Sequence, residues 1–185
     1  MFDYKKYWET RYKSGGNSGR GSYGNIAKLK GDYVSKVIKK YNIKSINDYG
    51  HGDCNQLNYI KNYKTYTGYD ISQTVREKCK KQFIDDKIIF VDSVSKMKYS
   101  DLSISLDVLY HIIDYNDYVD YLDNLFNNTN YVIIYSMDKE IKGSDHVLAR
   151  KFTDYIKINF INFLLLETTI GQDENVKFYL YKKIK

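Results

Sequence analysis

Apolar side chains recur along the chain with two spacings, one typical of helices and one typical of short strands. In NIAKLKGDYVSKVIKKYN, Ile26, Leu29, Val34, Val37 and Ile38 follow a helical periodicity, which predicts an amphipathic helix. Shorter runs rich in Ile, Val, Tyr and Thr predict strands instead. Five of these runs come before the last quarter of the chain: KSINDYG, TYTGYD, KIIFVD, DLSISLDVL and YVIIYSM.

Further helices are predicted at the N-terminus and between these strands. Ser72 stands at an N-cap position, and Asp53 followed by Gln56 resembles a capping box, which predicts a helix that begins directly after the first strand. The other predicted helices are FDYKKYWETRYK, SQTVREKCKKQF, YNDYVDYLDNLF and DHVLARKFTDYIKI.

This order of elements predicts the fold class. Strands that alternate with helices indicate an α/β fold in which helices cover both faces of a mostly parallel sheet. Near the C-terminus, INFLLLETTI and VKFYLYKKI flank GQDEN and predict an antiparallel hairpin. We therefore expect a Rossmann-like, doubly wound, seven-stranded sheet that ends in this hairpin. No linker or repeat interrupts the chain, so residues 1–185 are expected to form a single domain.

The segment SGGNSGRGSYG, residues 14–24, is too rich in glycine and serine to continue the first helix. It is expected to be the most flexible part of the protein and to act as a hinge. Residues 1–24 would then form a lid that brings Trp8 and Arg11 over a bound cofactor. The alternative is an aromatic helix that is docked permanently on the sheet.

Composition narrows the possible partners. A net charge of +6 and a pI near 9.0 permit an anionic partner, but lysines and acidic residues alternate, as is typical of a solvated surface. No apolar run approaches the roughly 18 residues that a membrane span needs. Cys54 and Cys79 are too few for a disulfide framework, and neither they nor the histidines show the paired spacing of a metal site. We expect a cytoplasmic protein with reduced cysteines, no metal and no membrane partner.

Three predicted strands end in residues that suit a nucleoside. The first is followed by Gly50 and Gly52, which permit a sharp turn and a close approach of a ligand; the second ends at Asp70 and the third at Asp92. Because carboxyl ends of parallel strands meet at one edge, Asp70 is expected to bind ribose hydroxyls and Asp92 an adenine amino group. Asp53 would repel a pyrophosphate at a helix N-terminus. This argues against a dinucleotide and favours a ligand with a positive sulfonium, such as S-adenosylmethionine.

The same segments resemble the successive motifs of a known family. SINDYGHGDCNQL, YTGYDIS, FVDS and DLSISLDVLYHIID are similar to those of class I S-adenosylmethionine-dependent methyltransferases, over nearly the whole chain. More narrowly, YWETRYKSGGNSGRGSYG and DHVLARKF resemble a group of small stand-alone methyltransferases, many of which are associated with glycan assembly. The resemblance implies S-adenosylmethionine as cofactor. It implies that the methionine part of the cofactor is surrounded by Gly50, Gly52, Asp53 and Gln56, with His51 in the turn. The ribose would be bound by Asp70, Ile71 and Ser72, and the adenine by Asp92 and Ser93. Leu106 and Asp107 would lie beneath the sulfonium.

Candidate catalytic residues follow the fourth strand. Asp107 ends this strand, and His111 comes four residues later, where the loop would face the transferred methyl group. Histidine can take a proton near neutral pH, so His111 is predicted to be the base for a hydroxyl acceptor; the alternative is that it only packs or caps a helix. His146 is a second candidate base, with Arg150 one turn along the same predicted helical face.

Three functions remain open on the sequence. The favoured function is methyl transfer to a small molecule, at a hydroxyl or amine of a sugar or sugar nucleotide. The second is ribose 2′-O methylation of an RNA cap, although the dispersed positive charge disfavours nucleic acid as a partner. The third is a sensor or partner subunit that binds the cofactor without catalysis. The RNA function would require a Lys-Asp-Lys-Glu set made of Lys30, Asp107, Lys139 or Lys142, and Glu167.

Overall fold

The structure is a computed structural model, and it describes residues 2–184. The described part contains five α-helices: α1 (Tyr4–Lys13), α2 (Gly24–Tyr41), α3 (Gln73–Gln82), α4 (Tyr115–Asn127) and α5 (Phe152–Asn159). Its strands are β1 (Ser45–Tyr49), β2 (Thr65–Tyr69), β3 (Ile88–Phe90), β4 (Ser100–Leu106), β5 (Thr129–Met137), β6 (Ile141–Lys142), β7 (Leu148–Ala149), β8 (Phe163–Asp173) and β9 (Val176–Lys183).

Seven of the strands form one sheet in the order β3-β2-β1-β4-β5-β9-β8. The first five strands in this order are parallel, whereas β9 is antiparallel to both β5 and β8. The order reverses between β1 and β4, which places a crevice beyond the carboxyl ends of these two strands. This arrangement confirms the predicted Rossmann-like fold with its C-terminal antiparallel hairpin.

Helices bury their apolar stripes on both faces of the sheet. Val34, Val37 and Ile38 of α2 pack on one face against β-strand residues that include Ile46 and Ile104. On the other face the buried helical residues come from α4 and α5: Leu122, Leu125, Phe126, Phe152 and Ile156.

The central strand β1 contains buried polar residues, and their side chains have hydrogen-bond partners within the fold. Asn47 donates from Nδ2 to the carbonyl oxygen of Lys98 at 2.7 Å, and Tyr66 donates its hydroxyl to Asp48 Oδ2 at 2.7 Å. Burial raises the pKa of Asp48 to about 6, while the Tyr66 hydroxyl opposes this rise by stabilising the carboxylate. These partners let a hydrophilic strand occupy the centre of the sheet.

One predicted helix cap is confirmed and another is wrong. Ser72 caps α3 by accepting a hydrogen bond from the backbone N–H of Val75 at 3.3 Å. No capping box forms at Asp53, because its backbone N–H donates to Ser18 Oγ at 2.7 Å while Gln56 Nε2 donates to the carbonyl oxygen of Ala27 at 2.7 Å. Only a short 3-10 turn, Asn55–Tyr59, follows the first strand.

The prediction of a helix that begins near residue 145 is also wrong for the first half of that segment. β7 replaces it, paired with β6 as a small antiparallel ribbon, and α5 begins only at Phe152. Arg150 donates to the carbonyl oxygens of Ile112 (2.7 Å) and Ile113 (2.6 Å), so these tertiary contacts hold the segment in an extended path. His146 and Arg150 therefore do not share a helical face.

Helix α1 lies against the start of α3. Glu9 of α1 accepts hydrogen bonds from the hydroxyls of Ser72 and Thr74, both at 2.6 Å, and these bonds lower its pKa. The glycine-rich segment after α1 contains a 3-10 turn, Arg20–Ser22, and leads into α2. In residues 2–184, none of the helices combines the length and the apolar character that crossing a membrane requires.

Candidate functional site

A cavity of about 450 Å³ opens beyond the carboxyl ends of β1, β2 and β4, a volume within the range of small-molecule sites. The roof is formed by α1 and the segment after it. Of the residues predicted for the cofactor, the cavity is lined by Trp8, Arg11, Gly50, His51, Gly52, Gln56, Asp70, Ile71, Leu106 and Asp107. Of the remaining candidates, His111 and His146 line it, whereas Asp53, Ser72, Asp92 and Ser93 do not.

The turn after β1 requires its glycines. Gly50 and Gly52 have φ values of +87° and +57°, and a Cβ at Gly50 would stand 2.6 Å from Val108 Cγ2. A Cβ at Gly52 would stand 2.3 Å from Ser18 Oγ. Any larger residue would both strain the backbone and close the space beside the cavity.

Asp70 is fixed beside this turn. Its Oδ2 accepts a hydrogen bond from the backbone N–H of Gly52 at 2.9 Å, and its Oδ1 accepts from the backbone N–H of Ser72 at 2.9 Å. A carboxylate has about four acceptor positions, so Asp70 can still accept hydrogen bonds from a ligand in the cavity. Its orientation is set before any ligand arrives.

Two residues of the predicted adenine site point elsewhere. Asp92 pairs with Lys96 at 2.8 Å on the surface, which lowers the pKa of Asp92, and Ser93 shares a hydrogen bond with Ser95. Val94 lines this part of the cavity instead. Other residues of the cavity wall that belong to no motif in the sequence are Tyr69, Asp117, Asp120, Tyr121 and Asn124.

Asp53 does not line the cavity; it accepts hydrogen bonds from the N-terminal segment instead. Its Oδ2 accepts from the backbone N–H of Ser18 at 2.9 Å and from the hydroxyl of Tyr23 at 2.6 Å. Together with the bond from Asp53 N–H to Ser18 Oγ, these contacts tie the glycine-rich segment to the turn after β1. The segment that was expected to be a free hinge is therefore attached at its centre.

A charged pair that the sequence suggested only for the RNA function lies in the cavity wall. Lys30 Nζ is 2.7 Å from Asp107 Oδ2, and the lysine side chain is only 1% exposed. Tyr110 donates its hydroxyl to Asp107 Oδ1 at 2.8 Å, and burial is the main cause that raises the pKa of this tyrosine. Asp107 itself has a φ of +63°. Both oxygens of this carboxylate are thus held in place.

His111 lies in an aromatic part of the wall. Its ring is edge-on to Trp8 at 4.9 Å and stacked on His146 at 5.6 Å, and His146 is stacked in turn on Tyr7 at 4.8 Å, all between ring centroids. His111 Nδ1 is 2.8 Å from the carbonyl oxygen of His146. A carbonyl only accepts, so Nδ1 carries the proton and Nε2 keeps its lone pair. Burial lowers the pKa of His111 to about 4, so the ring is neutral near pH 7.

Trp8 and Arg11 form part of the roof. The Arg11 guanidinium lies 5.7 Å from the Trp8 ring centroid, and its Nε donates to the carbonyl oxygen of Asn17 at 2.6 Å. A single aromatic and cationic surface therefore faces the cavity from α1.

The imidazole of His51 reaches beneath the turn, between two cysteines. Its Nδ1 lies 3.2 Å from Cys54 Sγ and 3.8 Å from Cys79 Sγ. No spacing in the sequence associates these residues, because Cys79 belongs to α3, away from the turn. Both cysteines are free thiols in the structure.

No protein-family model and no curated protein matches the chain. Solved structures do match it. The N-methyltransferase NodS from Bradyrhizobium japonicum WM9, in complex with S-adenosyl-L-homocysteine, has a TM-score of 0.75 and 12% identity, and the match covers 100% of both chains. The magnesium protoporphyrin IX methyltransferase ChlM from Synechocystis PCC 6803, with bound S-adenosylmethionine, has a TM-score of 0.71 and 16% identity over 99% of this chain and 98% of that chain.

A third similar structure is the methyltransferase domain of bacterial CtHen1-C, with a TM-score of 0.66 and 21% identity over 87% of this chain and 100% of that one. All three similarities extend over most or all of both chains. The protein has the fold of the S-adenosylmethionine-dependent methyltransferases, as the sequence motifs predict.

Proposed function

We propose that this protein is an S-adenosylmethionine-dependent methyltransferase that acts on a hydroxyl or amine of a small molecule. The observation that carries the proposal is a single cavity whose wall contains both the Gly50–Gly52 turn with Asp70 and the pair Asp107 and His111. This cavity lies at the sheet edge where doubly wound folds bind ligands.

The residues at the turn fit the proposed cofactor. Gly50 and Gly52 leave a cradle that a Cβ would fill, and Gln56 Oε1 is buried without a hydrogen-bond partner among residues 2–184. An ammonium group would supply the donor that this oxygen lacks. Asp70 would accept hydrogen bonds from ribose hydroxyls, and Ile71 and Val94 would contact the adenine ring.

When bound, S-adenosylmethionine supplies an electrophilic methyl group: the acceptor atom forms a bond to the methyl carbon while the carbon–sulfur bond breaks and its electron pair stays on sulfur. The protein then has to orient the acceptor and remove its proton. Lys30 and Tyr110 fix the Asp107 carboxylate, which can hold the acceptor group through a hydrogen bond. His111 Nε2 can take the proton, because a hydroxyl becomes strongly acidic as its oxygen gains a methyl group and then needs only a weak base.

The walls of the cavity favour a small acceptor. Tyr7, Trp8, His111 and His146 present aromatic rings, while the Asp107 carboxylate presents a polar group. A sugar ring has apolar C–H faces and hydroxyl edges, which suits this combination. A sugar or sugar nucleotide therefore remains the acceptor that we propose.

The RNA function has less support. Lys30 and Asp107 do meet, but Lys139, Lys142 and Glu167 do not line the cavity. Glu167 accepts a hydrogen bond from Tyr33 instead, and Lys139 donates to Asn175 on the surface. The remaining pair would have to act without the other half of the Lys-Asp-Lys-Glu set.

Labelled S-adenosylmethionine tests the proposed function. The protein is incubated with it and a cell extract, and the labelled small molecules, RNA and protein are separated. Label in a small-molecule fraction that requires the wild-type protein supports the proposal. Label in RNA alone would favour the alternative, and cofactor binding without any labelled product would indicate a sensor.

Asp70→Asn is expected to weaken binding of S-adenosylhomocysteine by about 1.5–3 kcal/mol, because an amide loses acceptor capacity and negative charge where Asp70 now accepts two backbone hydrogen bonds. Calorimetry measures the change. Asp92→Asn is the matched control, since Asp92 lies outside the cavity wall, and its affinity should stay at the wild-type value. Equal affinities for all three proteins would contradict the nucleoside site at Asp70.

Trp8 is the only tryptophan of the chain and lines the cavity, so its fluorescence reports directly on the roof. Adding S-adenosylhomocysteine is expected to shift its emission and to slow amide exchange in residues 2–24, because a ligand would hold α1 against the cavity. Trp8→Phe should remove the fluorescence signal but keep the slower exchange. Slow exchange without ligand, unchanged on its addition, would indicate a permanently docked helix rather than a lid.

A further inference from the structure

Three side chains of types that can bind a metal meet at the Gly50–Gly52 turn, and the proposed methyl transfer uses none of them. They are His51, Cys54 and Cys79, which we call the Cys2His cluster. Their ligand atoms all lie within 4.8 Å of one another, with Cys54 Sγ at 3.2 Å and Cys79 Sγ at 3.8 Å from His51 Nδ1. In a tetrahedral site with ordinary zinc–sulfur and zinc–nitrogen bonds, ligand atoms stand about 3.5–3.8 Å apart. The cluster is close to this geometry already.

The surroundings select the kind of ion. His51, Cys54 and Cys79 are 6%, 1% and 0% exposed, and the His51 ring has Phe90 edge-on at 4.9 Å between centroids. No carboxylate belongs to the cluster among the described residues. Sulfur and imidazole ligands without carboxylate oxygens favour soft, closed-shell cations over magnesium or calcium.

We propose that the Cys2His cluster binds one thiophilic closed-shell cation, zinc(II) or copper(I), through two thiolates and one imidazole. Two thiolates balance the charge of zinc(II), which favours burial of the complex in an apolar setting. Copper(I) accepts three ligands of this kind without a fourth. His51 Nδ1 lies 2.7 Å from the carbonyl oxygen of Gly52, which only accepts, so Nδ1 carries a proton that a bound ion would displace. For zinc(II), the same carbonyl oxygen, 3.5 Å from Cys79 Sγ, is the nearest further donor.

A bound ion would join two separate parts of the fold. His51 and Cys54 belong to the turn that follows β1, whereas Cys79 belongs to α3. The ion would therefore brace against α3 the same turn whose residues Gly50, His51 and Gly52 line the cavity. Because the ligands are buried, we expect the ion to enter as the protein folds rather than through the finished surface.

The test uses the full-length protein without a histidine tag, kept reduced and free of oxygen. The protein is unfolded with a chelator, freed of metal, and refolded with cobalt(II) as a spectroscopic probe for zinc, with copper(I), or with neither. One cobalt(II) per chain with thiolate charge-transfer absorption and a higher melting temperature is the expected result for a zinc site. Copper(I) binding that displaces cobalt(II) would identify copper as the preferred ion.

Cys79→Ser and Cys54→Ser should each weaken the thiolate absorption and the thermal shift, the double variant should lose both, and Asp92→Asn, a surface change, should retain both. Since buried cysteines tolerate change poorly, X-ray absorption of the zinc-refolded wild-type protein gives an independent measure, with two sulfur neighbours expected. Oxygen and nitrogen neighbours alone, no retained metal, or a Cys54–Cys79 disulfide in the reduced preparation would overturn the proposal. None of these outcomes depends on methyl-transfer activity.

Discussion

Replacing Asp107 with alanine is expected to destabilise the protein by about 3–5 kcal/mol and to remove most of its methyl-transfer activity. The stability loss follows from Lys30, whose ammonium lies 2.7 Å from Asp107 and whose side chain is 1% exposed. Removing one partner of a buried ion pair leaves the other charge uncompensated in a poorly solvated site. Denaturant unfolding measures this loss, and a methyl-transfer assay on the identified acceptor measures the activity.

The activity should fall for a separate reason. Asp107 lies in the cavity wall and is held by both Lys30 and Tyr110, so its loss removes a fixed acceptor for the reacting group. We expect turnover to fall by roughly 10²-fold, with cofactor affinity reduced as well, since the same strand end shapes the cofactor floor.

A double variant separates the two effects. Lys30→Met/Asp107→Ala removes the unpaired charge and should recover a large part of the lost stability, while activity stays low. Asp92→Ala breaks the exposed pair with Lys96 and should change stability little, because surface ion pairs contribute little. A stable Asp107→Ala protein with wild-type turnover would contradict both roles of the pair.

The sequence was sufficient for the parallel core because its signals there are local. β3 and β5 are runs rich in apolar and β-branched residues, and Ser72 caps α3 through contacts within one helical turn. Helical spacing also predicted the buried residues Val34, Val37 and Ile38 of α2, whereas Leu29 of the same predicted stripe is 38% exposed. Local patterns and tertiary packing agree in these elements, and a correct prediction follows.

The wrong predictions come from contacts between distant residues. Asp53 and Gln56 have the spacing of a capping box, but Ser18 and Ala27 take their hydrogen bonds, and Cys54 adopts a left-handed φ of +60°. Residues 145–151 have a helical composition, yet Arg150 is held by carbonyl groups of the loop after β4. No spacing within either segment reports these competing partners.

In the candidate site, too, the residues in local motifs could be predicted and the contacts between distant residues could not. Gly50, Gly52 and Asp70 could be predicted, since turn chemistry and strand ends are visible in a single sequence. The Lys30–Asp107 contact joins residues separated by 77 positions, and the Cys2His cluster joins a turn to a helix with no signature spacing. The lowered pKa of His111 likewise depends on burial, which cannot be read from the sequence.

Replacing His111 with asparagine is expected to lower turnover by roughly 10²–10⁴-fold while cofactor affinity and stability stay close to those of the wild type. The asparagine amide can keep the hydrogen bond that His111 Nδ1 donates to the carbonyl oxygen of His146, but it has no equivalent of the basic Nε2. His111→Ala loses both functions and should be less stable as well as inactive. Turnover, calorimetry with S-adenosylhomocysteine and thermal unfolding distinguish the two variants.

The pH dependence gives a second test of the same residue. Because burial lowers the pKa of His111 to about 4, the wild-type kcat/KM should be level around neutral pH and decline only as pH falls toward that value, where the ring becomes protonated. An unfolded histidine has a pKa of about 6.5, so the unfolded state binds more protons between these two pH values. This residue therefore makes stability rise with pH across that window, and His111→Asn should lack the contribution. A variant with full turnover on the identified acceptor would show that His111 only packs, and the acceptor proton would then have to leave through Asp107, His146 or solvent.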